Sequence, residues 1–409
     1  MTPTTVRAAI VPRRPFKVAI LIPAGNVVGR DRVVAYHHGD VEKIVDTDMN
    51  VGDTFVFEAT LRLIDYDEVV FISAGDGDIS RTVDLLDSCD VAVLRGSNYI
   101  HPGMCWGRLP AAVERSRVPV VAFGIGSQAP RYEALQVSGE TERFLKVVSE
   151  RCHSIGCRGV FTAQTLLELG IGNVVPIGCP SLFRNNNRNL QIRLPARGAI
   201  KRVGFTLARG MCGMYCDSPS LARAKQLKVL EELHRSHDVF VVTQGQKSEK
   251  IFYYRLYDRI TEAKTLMQKS GWDLDRMPWL EQLYWSRIFF GTSPADYEKI
   301  MGICDLAIGY RLHANIMALS IGKPAIFHTY DSRTREIVEH FAIPSYDIMC
   351  EDDFRLDDML LETTFDRFNA RFPIAYDETR EFLVANGIPT RMTGPAEVAY
   401  SPPPPPSAS

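Results

Sequence analysis

The 409-residue chain has no run approaching the roughly 20 consecutive apolar residues that a membrane-spanning helix needs. Its formal net charge is only −2, so the molecule as a whole offers no attraction to nucleic acid, and any anion site must be local. Nine cysteines stand at 89, 105, 152, 157, 179, 212, 216, 304 and 350, without the two compact pairs that a structural zinc site uses. Their irregular spacing argues against a disulfide frame and for reduced thiols packed as core residues, hence a cytoplasmic location. There is no tandem repeat. The N-terminus, MTPTTVRAAIVPRRPFK, lacks the apolar segment of a secretory signal. Residues 1–16 read as a flexible arm, through which Arg7, Arg13 and Arg14 could touch an anionic membrane surface. Residues 396–409 hold five consecutive prolines, cannot join a core, and are expected to be a disordered tail.

What is present is a globular composition, 45% hydrophobic and 23% charged, with length enough for two domains. Short apolar runs alternate with helical periods. Strands are expected at Lys17–Ile22, Glu68–Ser73, Asp90–Leu94, Val118–Phe123 and Ser154–Cys157. The polar segment after Asn26, through Asp48, reads as a long loop. Arg184 to Arg197, with Asn185-Asn186-Asn187 and Pro195, reads as a connection. A second alternation begins at Arg202–Leu207 and includes Asp238–Thr243, Ser286–Gly291 and Pro324–Phe327. The pattern predicts an α/β protein with parallel sheets covered by helices, divided into 17–197 and 198–395.

The most informative stretch is Asp305–Phe327, DLAIGYRLHANIMALSIGKPAIF. An apolar strand breaks at Gly309, and Ala314 to Leu319 then has the composition of a packed helix, ended by Gly322. Such an elbow leaves the first helical N–H groups without partners and attracts anions. Arg311 can grip a phosphate or carboxylate with two parallel hydrogen bonds. His313 can exchange a proton near neutrality. The plainer reading pairs Arg311 with an acidic neighbour and makes His313 a turn cap. Arg158 and Arg209 each follow an expected strand, where open α/β sheets bind ligands, and Gly210 beside Arg209 could form an anion nest. Gly124 and Gly126 could let backbone approach an anion or a sugar, or could simply serve a tight turn.

Arg311-Leu312-His313-Ala314, Gly322-Lys323-Pro324 and Tyr330-Asp331 resemble motifs of the polysaccharide pyruvyltransferase family. Phe123 to Gln128 is similar to its glycine loop, and Cys157-Arg158 with Thr165-Leu166 to its Arg-containing turn. Where that family often has a glycine run and a lysine, this chain has Arg95-Gly96-Ser97-Asn98 and Arg333. The resemblance implies two Rossmann-like domains facing a central cleft, of the GT-B type, with the first on the acceptor side and the second on the donor side. It implies transfer from phosphoenolpyruvate to a saccharide acceptor, which can be lipid-linked, to form a pyruvate ketal, with no cofactor or metal. His313 would be the general acid. Arg311, Arg158, Arg209, Gly124, Gly126, Tyr330, Asp331 and Arg333 would hold the donor, with Asp331 either orienting Arg311 or accepting a hydroxyl proton. Asn98, Tyr99, His101 and Gln128 would meet the acceptor. A GT-B glycosyltransferase using a nucleotide sugar is the alternative, and would require a ribose-binding carboxylate, for which Glu336 is the candidate. A non-catalytic anion-binding protein is the third reading.

Overall fold

A computed structural model describes residues 14–394 apart from 38, 76 and 351. The expected proline-rich tail and nearly all of the N-terminal arm lie outside the described residues; Arg14, at the arm's end, pairs with Asp90 at 3.3 Å.

The short apolar runs pair into two six-stranded parallel sheets. The first contains β1 (Lys17–Leu21), β2 (Glu68–Ile72), β3 (Val91–Arg95), β4 (Val120–Ile125), β5 (Ile155–Cys157) and β6 (Val174–Pro176), in the order β2-β1-β3-β4-β5-β6. The second contains β7 (Arg202–Thr206), β8 (Asp238–Thr243), β9 (Ile288–Phe290), β10 (Leu306–Gly309), β11 (Ala325–Thr329) and β12 (Ser345–Asp347), in the order β9-β8-β7-β10-β11-β12. Helices cover both faces, and so β3, β4, β10 and β11 are buried along their whole length. Each sheet reverses its strand order once, between β1 and β3 and between β7 and β10. Ligands of such sheets bind at that reversal, outside the carboxyl ends of the strands.

Six helices matter to the site: α1 (Val41–Asp46), α2 (Val51–Leu63), α3 (Val160–Glu168), α4 (Leu312–Ser320), α5 (Ser332–Phe341) and α6 (Asp366–Ala385). The side chain of Asn50 caps α2 by accepting the Gly52 N–H at 3.1 Å. All nine residues of α4 are buried, as its apolar composition predicts. Asp331 and Thr334 form a reciprocal box at the start of α5.

The halves meet through their carboxyl-end loops. Gln128 Nε2 donates to Asp331 Oδ2 at 2.9 Å. Ala129 N–H donates to Ser332 Oγ and the Ala129 carbonyl accepts from Ser332 N–H, both at 2.9 Å. This is the expected GT-B-like arrangement, two Rossmann-like sheets facing one crevice.

One detail differs from the sequence-based expectation and two add to it. The expected long loop carries secondary structure among its described residues: Asn26–Val28 and Arg32–Val34 form an antiparallel pair, and α1 follows. It straps the first half to the second, because Lys250 Nζ donates to the carbonyls of Ile44 at 2.8 Å and Thr47 at 2.7 Å. The connection at Arg184–Arg197 is pinned at its start, where buried Arg184 pairs with Glu58 at 2.7 Å and Glu298 at 2.9 Å, one in each half. The end of the 198–395 segment crosses back. Helix α6 lays Phe382 on Phe123 of β4 (ring centroids 6.1 Å apart, planes 6° apart), and Thr379 donates to the Ile177 carbonyl. Gly156 makes room for it, since a Cβ there would lie 2.8 Å from the Phe382 ring.

Candidate active site

The elbow predicted at Asp305–Phe327 is present. Gly309 ends β10 at φ +137°, a left-handed value that glycine adopts without strain, and a Cβ there would lie 2.6 Å from the Thr206 carbonyl oxygen. Helix α4 then starts with Arg311 as its N-cap and His313 in its first turn. The His313 ring rests against the N-terminus of α2, where a Cβ added to Gly52 would come 3.0 Å from its Nδ1. Its Nε2 lies 4.0 Å from Cys179 Sγ. Burial holds the imidazole well below its ordinary pKa, reinforced by the charges of Arg158, Arg333 and Arg95. The positive end of α2 acts in the same direction. His313 is therefore a neutral imidazole faced by three guanidinium groups.

Arg158 is 1% exposed and Arg95 is 3% exposed. Arg95 donates to the carbonyls of Ile22 and Gly96. Arg158 donates to Asn98 Oδ1, and its Nε has no hydrogen-bond partner. Arg311 Nε donates to the Leu207 carbonyl at 3.0 Å. Among the described residues, none of Arg95, Arg158 and Arg311 has a carboxylate partner. A guanidinium stays charged, and burying a charge without a counter-ion costs several kcal/mol.

A chain of hydrogen bonds carries the cluster across the crevice. Asn98 Nδ2 donates to Gln128 Oε1 at 3.0 Å, Gln128 to Asp331, and Arg333 Nη2 lies 3.4 Å from Asp331 Oδ2. Arg333 Nη2 also donates to the Tyr330 hydroxyl at 2.8 Å. Asp331 is fully buried and accepts from Thr334 N–H as well. It thus orients Arg333 and Gln128, and not Arg311 as one of the expected roles had it.

Other candidates lie differently. Arg209 is committed to a buried ion pair with Glu249 at 2.9 Å and donates to Ser248, so its charge is not available to the His313 cluster. Gly124 has φ +82° and faces Pro180, 2.5 Å from where a Cβ would be. Gly126 lets the Arg158 stem pass, its would-be Cβ 2.7 Å from Arg158 Cδ, while its N–H is taken by the Ser97 carbonyl. Both glycines serve packing around the site. Tyr99 is buried against Trp106, and burial pushes its phenol up to about 12. The His101 ring accepts from the Gly103 N–H at 3.2 Å, a local turn contact. Glu336, the ribose candidate of the alternative reading, accepts from Thr162 N–H at 3.1 Å and Thr162 Oγ1 at 2.9 Å across the halves. Burial raises its carboxyl to about 8. It is closed off as a latch. Of the cysteines expected in the core, Cys105, Cys212 and Cys350 are exposed instead.

Sequence reasoning missed Arg95 as a cation of the site, although Arg95-Gly96-Ser97-Asn98 had already marked that loop as unusual. The available signal was an arginine ending an otherwise apolar strand beside the strand reversal.

Fold and site together define a two-half α/β protein in which arginines of both halves gather around a buried imidazole at the crevice. Residues 43–332, well over half of the chain, match the family model for polysaccharide pyruvyl transferase, and the chain belongs to that family. No curated protein matches it. Similar solved structures include HepE of Anabaena in complex with UDP and glucose, at 12% identity over 91% of this chain and 95% of that chain, with a TM-score of 0.42. The S. aureus MnaA–UDP structure is similar at 11% identity, covering 93% of this chain and 100% of that chain, TM-score 0.44. UDP-GlcNAc 2-epimerase of Methanocaldococcus jannaschii, with UDP-GlcNAc and UDP, is similar at 11% identity over 81% and 89%, TM-score 0.40. No helix among the described residues is long and apolar enough to cross a membrane.

Proposed function

We propose that this protein transfers the enolpyruvyl group of phosphoenolpyruvate to two hydroxyls of a sugar in a polysaccharide or its precursor, closing a pyruvate ketal and releasing phosphate. The observation that supports this reading is the cluster of buried guanidinium groups without carboxylate partners, Arg95 and Arg158, set around His313. A trianionic donor supplies the missing counter-charge.

The reaction needs a proton delivered to the donor's methylene carbon, which leaves a cationic carbon that a hydroxyl oxygen attacks. The second hydroxyl then displaces phosphate. Two hydroxyl protons are lost; one ends on the new methyl group and the other on the phosphate. His313 is the general acid in this scheme. The cations keep it neutral in the empty protein, and the donor's negative charges counter them, so the imidazole gains its proton with the donor in place. Arg158, Arg311 and Arg333 hold phosphate and carboxylate, and the Asn98–Gln128–Asp331 chain fixes the planes of Arg158 and Arg333. Entry of the donor requires the halves to part, since His313 is only 6% exposed. The nucleotide-sugar alternative loses its ribose-binding carboxylate to the Glu336–Thr162 contact.

The test is mass spectrometry of candidate glycans after incubation with phosphoenolpyruvate, read together with release of inorganic phosphate. The expected product carries one pyruvate ketal. His313→Gln should lower kcat on the order of a hundredfold to ten-thousandfold, the usual worth of a positioned acid. Full activity in that variant would remove the proposed acid.

A further inference from the structure

The second half contains a pocket that the transfer scheme does not use. It encloses about 430 Å³ and is lined by Arg209, Arg223, Gln226, Lys269, Ser270 and Gly271 among others, with no Asp or Glu in its wall. Arg209 is 6% exposed and its charge is met from behind by Glu249. Arg209 Nη1 reaches the wall residue Ser270, at 3.4 Å from its Oγ, a contact long enough to yield to a ligand. Arg223 and Lys269 have no ion-pair partner among the described residues. The pocket therefore carries two uncompensated positive charges.

Its geometry is held from several sides. Gln226, 1% exposed, accepts from the Ala208 N–H at 3.1 Å and donates to the Ala208 carbonyl at 3.0 Å, fixing the chain that follows β7. Gly271 has φ +80°, and a Cβ there would lie 2.5 Å from Arg223 Cζ. The missing side chain leaves room for that guanidinium against the turn, where Nη1 donates to the Ser270 carbonyl at 3.3 Å. The location is the carboxyl end of β7, at the strand reversal of the second sheet. The Leu207 carbonyl on this strand end holds Arg311, and Ala208 and Arg209, next in the chain, line the pocket.

We propose that this pocket is a second anion site, separate from the His313 cluster, that binds a phosphate monoester or a diphosphate. Two free cations, one of them a planar fork, match the charge and spread of such a group. The volume admits it together with the first atoms of whatever carries it. A ligand held there lies beside the transfer site without occupying it.

Titration calorimetry with inorganic pyrophosphate on the full chain tests this. Binding is expected for the starting protein. The Arg223→Gln/Lys269→Gln double variant should weaken it by about tenfold or more, the equivalent of one lost charge-assisted hydrogen bond, with an unchanged melting temperature. Should the double variant melt early, Lys269→Gln alone, at an exposed position, gives the same comparison. Undiminished affinity in the variants, or no binding by the starting protein, overturns the proposal. Competition by uridine diphosphate or by farnesyl diphosphate supports it and tells a nucleoside carrier from an isoprenoid one; displacement by neither overturns the assignment to an esterified ligand. The readout contains no transfer step, so its failure is distinct from failure of the pyruvyl-transfer reading.

Discussion

Arg158 shows at single-residue scale how binding and stability pull against each other. Its guanidinium is nearly inaccessible, touches Asn98, and leaves Nε unpaired. In the empty protein that burial is unfavourable, and an apolar side chain of similar length would remove the cost. Arg158→Met should therefore stabilise the unliganded protein by roughly 1–4 kcal/mol in urea unfolding. The same variant should lose the thermal shift that phosphoenolpyruvate gives the unsubstituted protein, because binding stabilises only the state that binds. A variant that is destabilised yet keeps the full donor-induced shift would place the donor elsewhere.

Among the elements, the strap formed by residues 26–37 and 39–50 decides how the crevice is held. Ala35 N–H donates to the Thr292 carbonyl at 2.7 Å, Arg259 pairs with Glu42 and with Asp46, and Lys250 closes the middle. The Lys250 ammonium sits between Tyr36 and Phe290, 5.5 and 5.9 Å from their ring centroids. The strap leads directly into Asn50 and Gly52, the surface on which His313 rests. Lys250→Met keeps the buried volume but leaves the Ile44 and Thr47 carbonyls without their donor, which should cost about 1–3 kcal/mol. Amide exchange over residues 41–50 should accelerate before exchange in α4 does. Unchanged protection there would show that the exposed ion pairs hold the strap by themselves. This element was not legible in the sequence, because two three-residue strands and a six-residue helix are too short to show a period. The elbow was legible for the opposite reason: Gly309 interrupts a strand that is buried throughout, and α4 is apolar on every side. Arg311 and His313 followed from that local geometry. The Gln128–Asp331 bond did not, since it joins segments 203 positions apart, and Arg95 was passed over although it ends an apolar strand beside the strand reversal. Arg209 was misplaced because strand-end position says nothing of Glu249, which arrives from another helix.

For the whole molecule, buried titrating groups set a stability optimum that can be worked out in sign. His313, His328 and His340 all belong to the second sequence half, and burial lowers each below the ordinary imidazole value, His328 to about 3 and His340 to about 4. An unfolded histidine titrates near 6.5. Below about pH 6.5 the unfolded chain therefore binds protons that the folded chain refuses, and stability is lost as pH falls, by about 1.4 kcal/mol per unit for each group. Glu336 acts in the opposite sense. Its folded pKa of about 8 lies above its unfolded value, so its contribution is full at low pH and is lost as pH rises from about 4.5 to about 8. Between about pH 4.5 and 6.5 three histidines oppose one carboxyl, a net of two protons, and stability should fall toward acid by about 2.7 kcal/mol per unit. Between about 6.5 and 8 only Glu336 of these groups is changing, and stability should decline more gently toward alkali, by about 1.4 kcal/mol per unit at most. The expected profile from urea unfolding across pH 4.5 to 8 is a maximum near 6.5. Glu336→Gln should flatten the alkaline limb and leave the acid limb in place, because the amide keeps an acceptor for Thr162 but no proton to lose. Burial also lowers the Lys250 ammonium to about 8, which adds stability as pH rises through and above that value, so the Glu336 limb is read between about pH 6.5 and 7.5. A wild-type stability still climbing in that window would mean that the Glu336–Thr162 latch carries its charge at neutral pH, and that the crevice is joined there by an ionised group rather than a protonated one.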